Sequence, residues 1–487
     1  METACSEQLT FWKVGKQQVT VDFEGGQVVT DAGLLVVRQF EQRMGIIADL
    51  AARLPDPRAQ RFVQHSAEEI LTQQVYQILA GYADGNDAQE LRHDPLFKTL
   101  AGVSPDREDD PLASGSTLNR FLYAYTRRQA ELPRAERPAF FEQRVARLER
   151  IQLFNDYLVE LFVRTRTQPP RHVVIDLDAT DDPTHGQQLL TGFHGYYDQY
   201  QYYPLLLFDG DSGFPLGAWL RPGTVHASTG AVDALDEVVQ TLRRAWPDVL
   251  ILVRGDNGLA VPEMYEYCEL QGLLYAFGYA TNEVLKRRTA ELLAQVEREQ
   301  QERGESVQRF TVFEEYQAGS WTRPRRIVAK VEANRQGTNR RFVVTNLSGD
   351  PQGLYQGFYV LRGEVPEQPI GELKNDLLAQ RLSAHGFTAN ATKFGLHTLA
   401  YAIMVLFREG LAEVPELARA QVHTLRNKLF KVGAVVKTSV RRIWFHFSET
   451  WPHQQLFIQV HGAVRQFVDS LRPEVAAVPI AGLLTPM

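Results

Sequence analysis

Cysteine is almost missing from this 487-residue chain, with Cys5 and Cys268 its only two. Neither has metal-site spacing, so a thiolate metal centre and a disulfide-stapled scaffold are both excluded and a reducing compartment is expected. No apolar run approaches the roughly 20 residues that a membrane span needs. The opening METACSEQLTFWKVGKQQ lacks the basic-then-apolar order of a signal peptide, which makes a cytoplasmic address the expectation. Internal repeats and low-complexity segments are absent too. What remains, 44% hydrophobic and 23% charged residues, is ordinary globular composition, enough chain for about two to four domains.

An excess of positive charge is also missing. The net charge of −7 taken whole argues against a nucleic-acid partner, because phosphate binding needs cations nearby. The charge is nevertheless segregated. Between Ser320 and Leu347 the seven cations Arg323, Arg325, Arg326, Lys330, Arg335, Arg340 and Arg341 meet only Glu332. Between Arg419 and Ser448 another seven, Arg419, Arg426, Lys428, Lys431, Lys437, Arg441 and Arg442, meet no acid. Two basic stripes in an acidic chain point to one surface for a polyanion, or to a pair of solvated hairpins.

The apolar period changes along the chain. The first 165 residues read as mostly helical, with Ile70, Leu71, Val75, Ile78 and Leu79 at helical spacing. Ser114–Gln129 and Pro138–Arg166 give further helical patterns before the Pro169-Pro170 boundary. Beyond it come strands at 171–180 and 202–220, the latter two strands joined by DGDSG. An amphipathic helix at 231–246, a strand at 248–256, a helix near 261–271 and a strand at 272–280 complete a β-β-β-α-β-α-β order, an α/β layer. A charged helix and three strand-like runs at 309–316, 325–332 and 341–347 interrupt this layer. Helices then resume through 371–382 and 391–411, and 428–447 alternates like a hairpin.

The carboxylates cluster where strands end. VVIDLDATDDPTHG (173–186) carries Asp176, Asp178, Asp181 and Asp182. Side chains two apart on a strand share a face, so Val173, Ile175 and Leu177 face the core while Asp176 and Asp178 point together to the other side. Like charges there need water or a cation; Asp181 and Asp182, beside Pro183, read as turn residues. Asp256 of RGDNG (254–258) ends a second strand, at the carboxyl edge where open α/β sheets gather ligands. A third acid is expected from a helix. In FYVLRGEVPEQPIGELKNDLL (358–378), Tyr359, Arg362, Glu367 and Lys374 follow as Y-x2-R-x4-E-x6-K, with Glu364 and Glu372 as rivals to Glu367. Three carboxylates on two strands and a helix make a hard, all-oxygen site suited to Mg²⁺ or Mn²⁺ and to in-line phosphoryl displacement.

These residues and their order resemble the ribonuclease H-like core of DDE transposases. More narrowly, DLDATDDPTHGQQ, HGYYDQYQYYPL, RPGTVH, RGDNG, RGEVPEQPIGELKND and TLRNKLFKVGAVV resemble the thirteen-eighty family of bacterial insertion sequences. The resemblance implies an α/β ribonuclease H-like core (169–282 and 350–412) interrupted by a β-rich insertion (283–349). It implies a helical DNA-end-binding region before the core (1–168) and a basic hairpin and helix region after it (413–487). It assigns Asp178, in the D-x-T position, with Asp256 and Glu367 as catalytic residues holding two Mg²⁺ ions, which Mn²⁺ can replace. Tyr359, Arg362 and Lys374 are assigned to DNA phosphate, and the stripe residues Arg323, Arg325, Arg326, Lys428, Lys431, Arg441 and Arg442 to DNA. Trp321 is assigned to stacking on a displaced base, a role that competes with ordinary packing. The chain departs from the family's pattern at VPEQP, where prolines flank the glutamate.

The implied activity is a Mg²⁺-dependent DNA transposase that binds element ends in double-stranded DNA, cleaves them and joins 3′-hydroxyls to target DNA. A dimer in the DNA-bound complex is implied, with no membrane partner. The alternative is a DNA-binding protein that keeps the fold without the activity. A phosphoesterase for small substrates leaves the basic stripes unexplained. His185 and His194 lie near the aspartates but read as loop histidines rather than catalytic ones.

Overall fold

A computed structural model describes residues 8–471 except 55, 57, 59, 108, 131–148, 196 and 365–366. Three short strands open it: β1 (Leu9–Val14), β2 (Gln17–Val21) and β3 (Val28–Val29). β1 and β2 form an antiparallel hairpin whose side chains are almost all exposed. The reading of this region as mostly helical missed it, although TFWKVGKQQVTV alternates as a strand does. Helices follow at Leu34–Met44, Ile46–Arg53, Ala67–Ala80, Gly115–Ala130 and Glu149–Arg164. Ser66 caps the third of these by accepting from the Glu69 amide, and Gly81 ends it in the left-handed conformation. Of the Pro138–Arg166 pattern, the part before Glu149 lies outside the described residues, as do the side chains of Arg127 and Arg128.

The centre is an eight-stranded mixed sheet. β4 (His172–Ala179) is followed by a small three-stranded ribbon of β5 (Asp182–Pro183), β6 (Gly192–His194) and β7 (Gln199–Tyr202). Next come β8 (Leu205–Asp209) and β9 (Pro215–Trp219), then β10 (Leu250–Gly255) and β11 (Leu274–Tyr279) after one helix each. The β-β-β-α-β-α-β order holds, with the β5–β7 ribbon added between its first two strands. β12 (Val307–Tyr316), β13 (Arg325–Asn334) and β14 (Gly337–Thr345) were expected as an insertion interrupting this layer. They join the central sheet: β14 pairs antiparallel with β11, and the order runs β12-β13-β14-β11-β10-β4-β8-β9. Only β11–β10 and β10–β4 are parallel pairs in that sheet.

Behind the sheet lies the helix Phe387–Glu409, buried from Phe387 through Phe407. Its buried polar residues are partnered inside, Asn390 by the Ala384 backbone and His397 by the Leu377 carbonyl. It packs on β9 and on the helices Ala67–Ala80, Gly115–Ala130 and Glu149–Arg164, joining the N-terminal helices to the sheet. Near the C-terminus β15 (Ala434–Ser439) and β16 (Arg442–Phe447) form the expected hairpin, and β15 pairs with β3. No helix among the described residues is long and apolar enough to cross a membrane.

One buried ion pair sets the geometry between the two parallel central strands. Asp176 on β4 is 0% exposed, and the register places it opposite Arg254 on β10. The Arg254 guanidinium donates from Nε to Oδ1 at 2.6 Å and from Nη2 to Oδ2 at 2.7 Å. Its Nη1 reaches the Phe358 carbonyl at 2.8 Å, and the guanidinium lies over the Phe358 ring. A β-carbon on Gly210, beyond β8, would lie 2.5 Å from Arg254 Nη2 and 2.8 Å from Asp176 Oδ2, so only glycine leaves room for the pair. Removing one partner strands a charge in the interior. Asp176→Asn and Arg254→Met are each expected to lower the unfolding free energy by about 3–5 kcal/mol, read from urea denaturation. A loss below about 1 kcal/mol, the scale of an exposed pair, would show that the pair does not organise the sheet.

Candidate functional site

Parallel pairing brings the two strand-end aspartates together. β4 and β10 are in register up to Leu177 opposite Gly255, so one step further Asp178 and Asp256 stand side by side. Asp256 is held by its own turn: its Oδ1 accepts from the amides of Gly258 at 2.9 Å and Leu259 at 3.3 Å. That leaves Oδ2 for another partner. Asp178 keeps 19% of its side chain exposed and receives a long contact, 3.5 Å, from Arg362 Nη1. Burial pushes its carboxyl up to about 6; Arg362 pulls it down and the charge of Asp256 pushes it up again. The pair is negative and only partly compensated.

The signature segment supplies the wall opposite these acids. Tyr359 and Arg362 interact electrostatically with each other, and both feel the charge of Asp256. Tyr359 reaches in over β11, where a β-carbon on Gly278 would lie 2.5 Å from its hydroxyl. Around and after Arg362 the described residues are helical at Leu361–Glu364 and Glu367–Gly371, then form a wide π-turn, Glu372–Asp376. Residues 365–366 and the Glu364 and Glu367 side chains lie outside what is described. Glu372 is engaged elsewhere. It is 2% exposed, takes Arg408 Nη1 on both oxygens at 3.0 Å, and accepts from the Val422 amide at 3.1 Å. Lys374 donates to Asp181 at 2.9 Å and reaches Thr180 at 3.4 Å.

Asp178 and Asp256 are thus the described residues that could hold a hard cation. No group of three His, Cys, Asp or Glu placed to hold a metal occurs among the described residues; Glu367 is outside them. The structure adds neighbours that the sequence did not assign. Tyr203, just after β7, feels both Asp256 and Asp178. Its ring is covered by the Arg221 guanidinium, which donates to the carbonyls of Tyr203, Ala227 and Thr229, each at 2.8 Å. Arg221 opens the RPGTVH stretch, so the motif was visible but its structural task was not. His194 stacks loosely between Tyr197 and Tyr203 rather than at the carboxylates.

Part of the first basic stripe is taken up by acids and carbonyls of its own fold. Arg323 and Arg325 both bind Glu269, the latter with two bonds of 2.8 and 2.9 Å. Arg326 donates to the carbonyls of Leu347 and Gly349 and pairs with Glu314. Trp321 is 5% exposed, its ring enclosed by Tyr265, Tyr279, Tyr316 and the Arg325 guanidinium. That enclosure is the packing alternative, and it leaves little ring surface for a base. In the second stripe Lys428 pairs with Glu416 and Lys431 approaches Asp31 at 3.9 Å. Arg441 and Arg442 are exposed at the β15–β16 turn.

Comparison with known proteins follows the same outline. The family model described as "Transposase DDE domain group 1" matches residues 11–469. No curated protein matches the chain. Among solved structures, the piggyBac transposase synaptic complex with hairpin DNA, determined by cryo-electron microscopy, is similar at 12% identity and a TM-score of 0.42. That match covers 93% of this chain and 87% of the other.

Asp182 was expected in a solvated turn and is instead a buried strand residue. It is 3% exposed, and neither carboxyl oxygen has a hydrogen-bond partner. Burial pushes its pKa up to about 8, against the pull of Lys374, with Asp181 adding to the rise. The folded state therefore holds this proton more tightly than the unfolded chain. The contribution of Asp182 to stability is greatest below the ordinary carboxylate range and is lost as the pH rises toward about 8. Each pH unit in that window removes up to about 1.4 kcal/mol. Asp182→Asn is expected to flatten this part of the pH–stability curve measured by chemical denaturation. An unchanged slope would place the titration elsewhere.

Proposed function

The chain belongs to the family described as transposase DDE domain group 1, and we propose that it is an active transposase of a bacterial insertion sequence. It binds the element ends in double-stranded DNA, cleaves phosphodiester bonds there and joins 3′-hydroxyl ends to target DNA. The observation that carries this reading is the placement of Asp178 and Asp256 at the ends of adjacent parallel strands, with Arg362 and Tyr359 facing them. The donor set fits divalent cations: it is all oxygen, Asp256 keeps one carboxylate oxygen outside its turn, and Asp178 is under-neutralised.

Asp178, Asp256 and Glu367 would hold Mg²⁺, with Mn²⁺ able to substitute. Bound ions supply activation of the attacking oxygen and charge relief at the leaving one. The chain's own residues do the rest. Arg362, which reaches Asp178, is placed to grip a phosphate oxygen, and Tyr359 lies beside it on the same segment. Lys374 exchanges Asp181 for the DNA backbone. Strand transfer and hydrolysis use one site because both are attacks by an oxygen nucleophile on phosphorus. Two element ends require two such sites, so the DNA-bound complex is a dimer.

Asp178→Asn and Asp256→Asn are each expected to lower Mg²⁺-dependent nicking of end DNA by more than about a hundredfold, beyond the scale of changes around metal ligands. Gel-shift affinity for the same DNA should stay within a fewfold. Nicking by both variants at the natural rate would overturn the site. A natural chain that shifts end DNA but never nicks it would make this a binder that has kept the fold alone.

A further inference from the structure

Arg323, Arg325, Arg326, Lys330, Lys428 and Lys431 of the two basic stripes are taken up by ion pairs, whereas the cations on one face of the β15–β16 hairpin are not. Opposite residues in an antiparallel pair share a face. Lys437 stands across from Trp444, Ser439 across from Arg442 and Val435 across from His446. Along β16, Arg442, Trp444 and His446 alternate onto this same side. The Arg442 guanidinium lies 5.4 Å from the Trp444 ring centre. The Trp444 and His446 rings are stacked 5.9 Å apart and 8° from parallel. The opposite face anchors the hairpin. Phe447 packs on Trp451 and Phe457, and Ala434 and Val436 are buried.

Trp444 is 46% exposed and Val440, at the tip, is fully exposed. A tryptophan clamped between an arginine and a histidine on a solvent-facing strand adds nothing to the core. It fixes the arginine, whose side-chain freedom is otherwise lost on binding. Lys437, Arg441 and Arg442 have no ion-pair partner among the described residues, and no acid lies anywhere from Arg419 to Ser448. β16 is also the outer edge of its sheet, paired only with β15. Cations on an edge strand discourage strand-to-strand association with another chain, which leaves a polyanion as the fitting partner. A two-stranded ribbon is the right width for the duplex major groove.

We propose that the Arg442–Trp444–His446 ladder and Lys437 form a duplex-DNA docking face, in which Trp444 holds Arg442 preset for the phosphate backbone. This rests on the transposase reading and goes beyond it, because it places a contact outside the carboxylate site and gives a neutral residue an electrostatic task. Lys437 and Arg442 bind phosphate directly. Trp444 is a positioning residue acting through Arg442.

The test is fluorescence polarisation with two labelled duplexes, the genomic sequence flanking the gene and an unrelated one of equal length, titrated with salt. Lys437→Ala and Arg442→Ala are each expected to weaken binding to both duplexes and to reduce the slope of log affinity against log salt by about one. Trp444→Ala removes no charge yet should weaken binding severalfold, and the double variant Arg442→Ala/Trp444→Ala should bind like Arg442→Ala alone. Matched melting temperatures check the fold, and Lys437→Ala carries the test if Trp444→Ala is unstable. Unchanged affinity and slope in Lys437→Ala and Arg442→Ala overturn the docking face. Additive losses in the double variant overturn the positioning role. Variants that bind DNA normally but sediment as smaller species assign the face to a second copy of the chain. A natural chain that binds neither duplex sinks the transposase reading itself, whereas a hairpin failure leaves binding by the natural chain intact.

Discussion

The ion pair between Asp176 and Arg254 is where three parts of the fold meet. Its carboxylate sits on β4 and its guanidinium on β10, and the guanidinium's remaining donor holds the Phe358 carbonyl at the head of the signature segment. Tyr359 follows directly, and Arg362 comes one helical turn later. An arginine is needed there because a planar fork can satisfy both carboxylate oxygens and still offer a third donor, which an ammonium cannot do in one plane. The position of Asp178 beside Asp256, and of Arg362 against them, is therefore a consequence of a contact one layer deeper.

That contact also explains how the chain tolerates four aspartates in seven positions. Each meets a different environment within a few ångströms of backbone. Asp176 is neutralised internally, and Asp181 is neutralised by Lys374 from the far side of the signature segment. Asp182 is buried without a hydrogen-bond partner and prefers its proton. Asp178 alone is partly open and partly compensated. A cluster that repelled itself would splay the strand ends; two ion pairs and one protonated acid leave a single charge facing Asp256.

Much of this was legible in the sequence because strand period and strand ends are local properties. The alternation VVIDLD and the run LILVRGD placed Asp178 and Asp256 correctly at strand ends, and β8, β9 and the 231–245 helix fell where the pattern put them. What escaped depends on partners distant in the chain. The partner of Arg254, Asp176, lies 78 residues away, so nothing near it in the sequence marks the pair. Arg323 and Arg325 looked like a DNA surface because Glu269 precedes them by 54 and 56 residues. The three strands at 307–345 read as a separate unit because hydrogen bonding of β14 to β11 leaves no mark on composition. Glu372, a rival for the third acid, could be set aside only once Arg408 and the Val422 amide were seen to occupy it.

The same distinction bears on how an acidic chain meets DNA. Charge counted along a sequence overstates the surface available to phosphate, because folding draws arginines preferentially into buried pairs and carbonyl contacts, where their multiple donors are all satisfied. Arg325, Arg326 and Arg426 went that way. Among the cations that stay outside is Arg442, on an edge strand whose other face is fixed by aromatic packing. On β16 that division runs residue by residue, with Phe445 and Phe447 facing inward and Arg442, Trp444 and His446 outward. A surface for a polyanion is in this sense what the core leaves over, and strand alternation decides which residues those are.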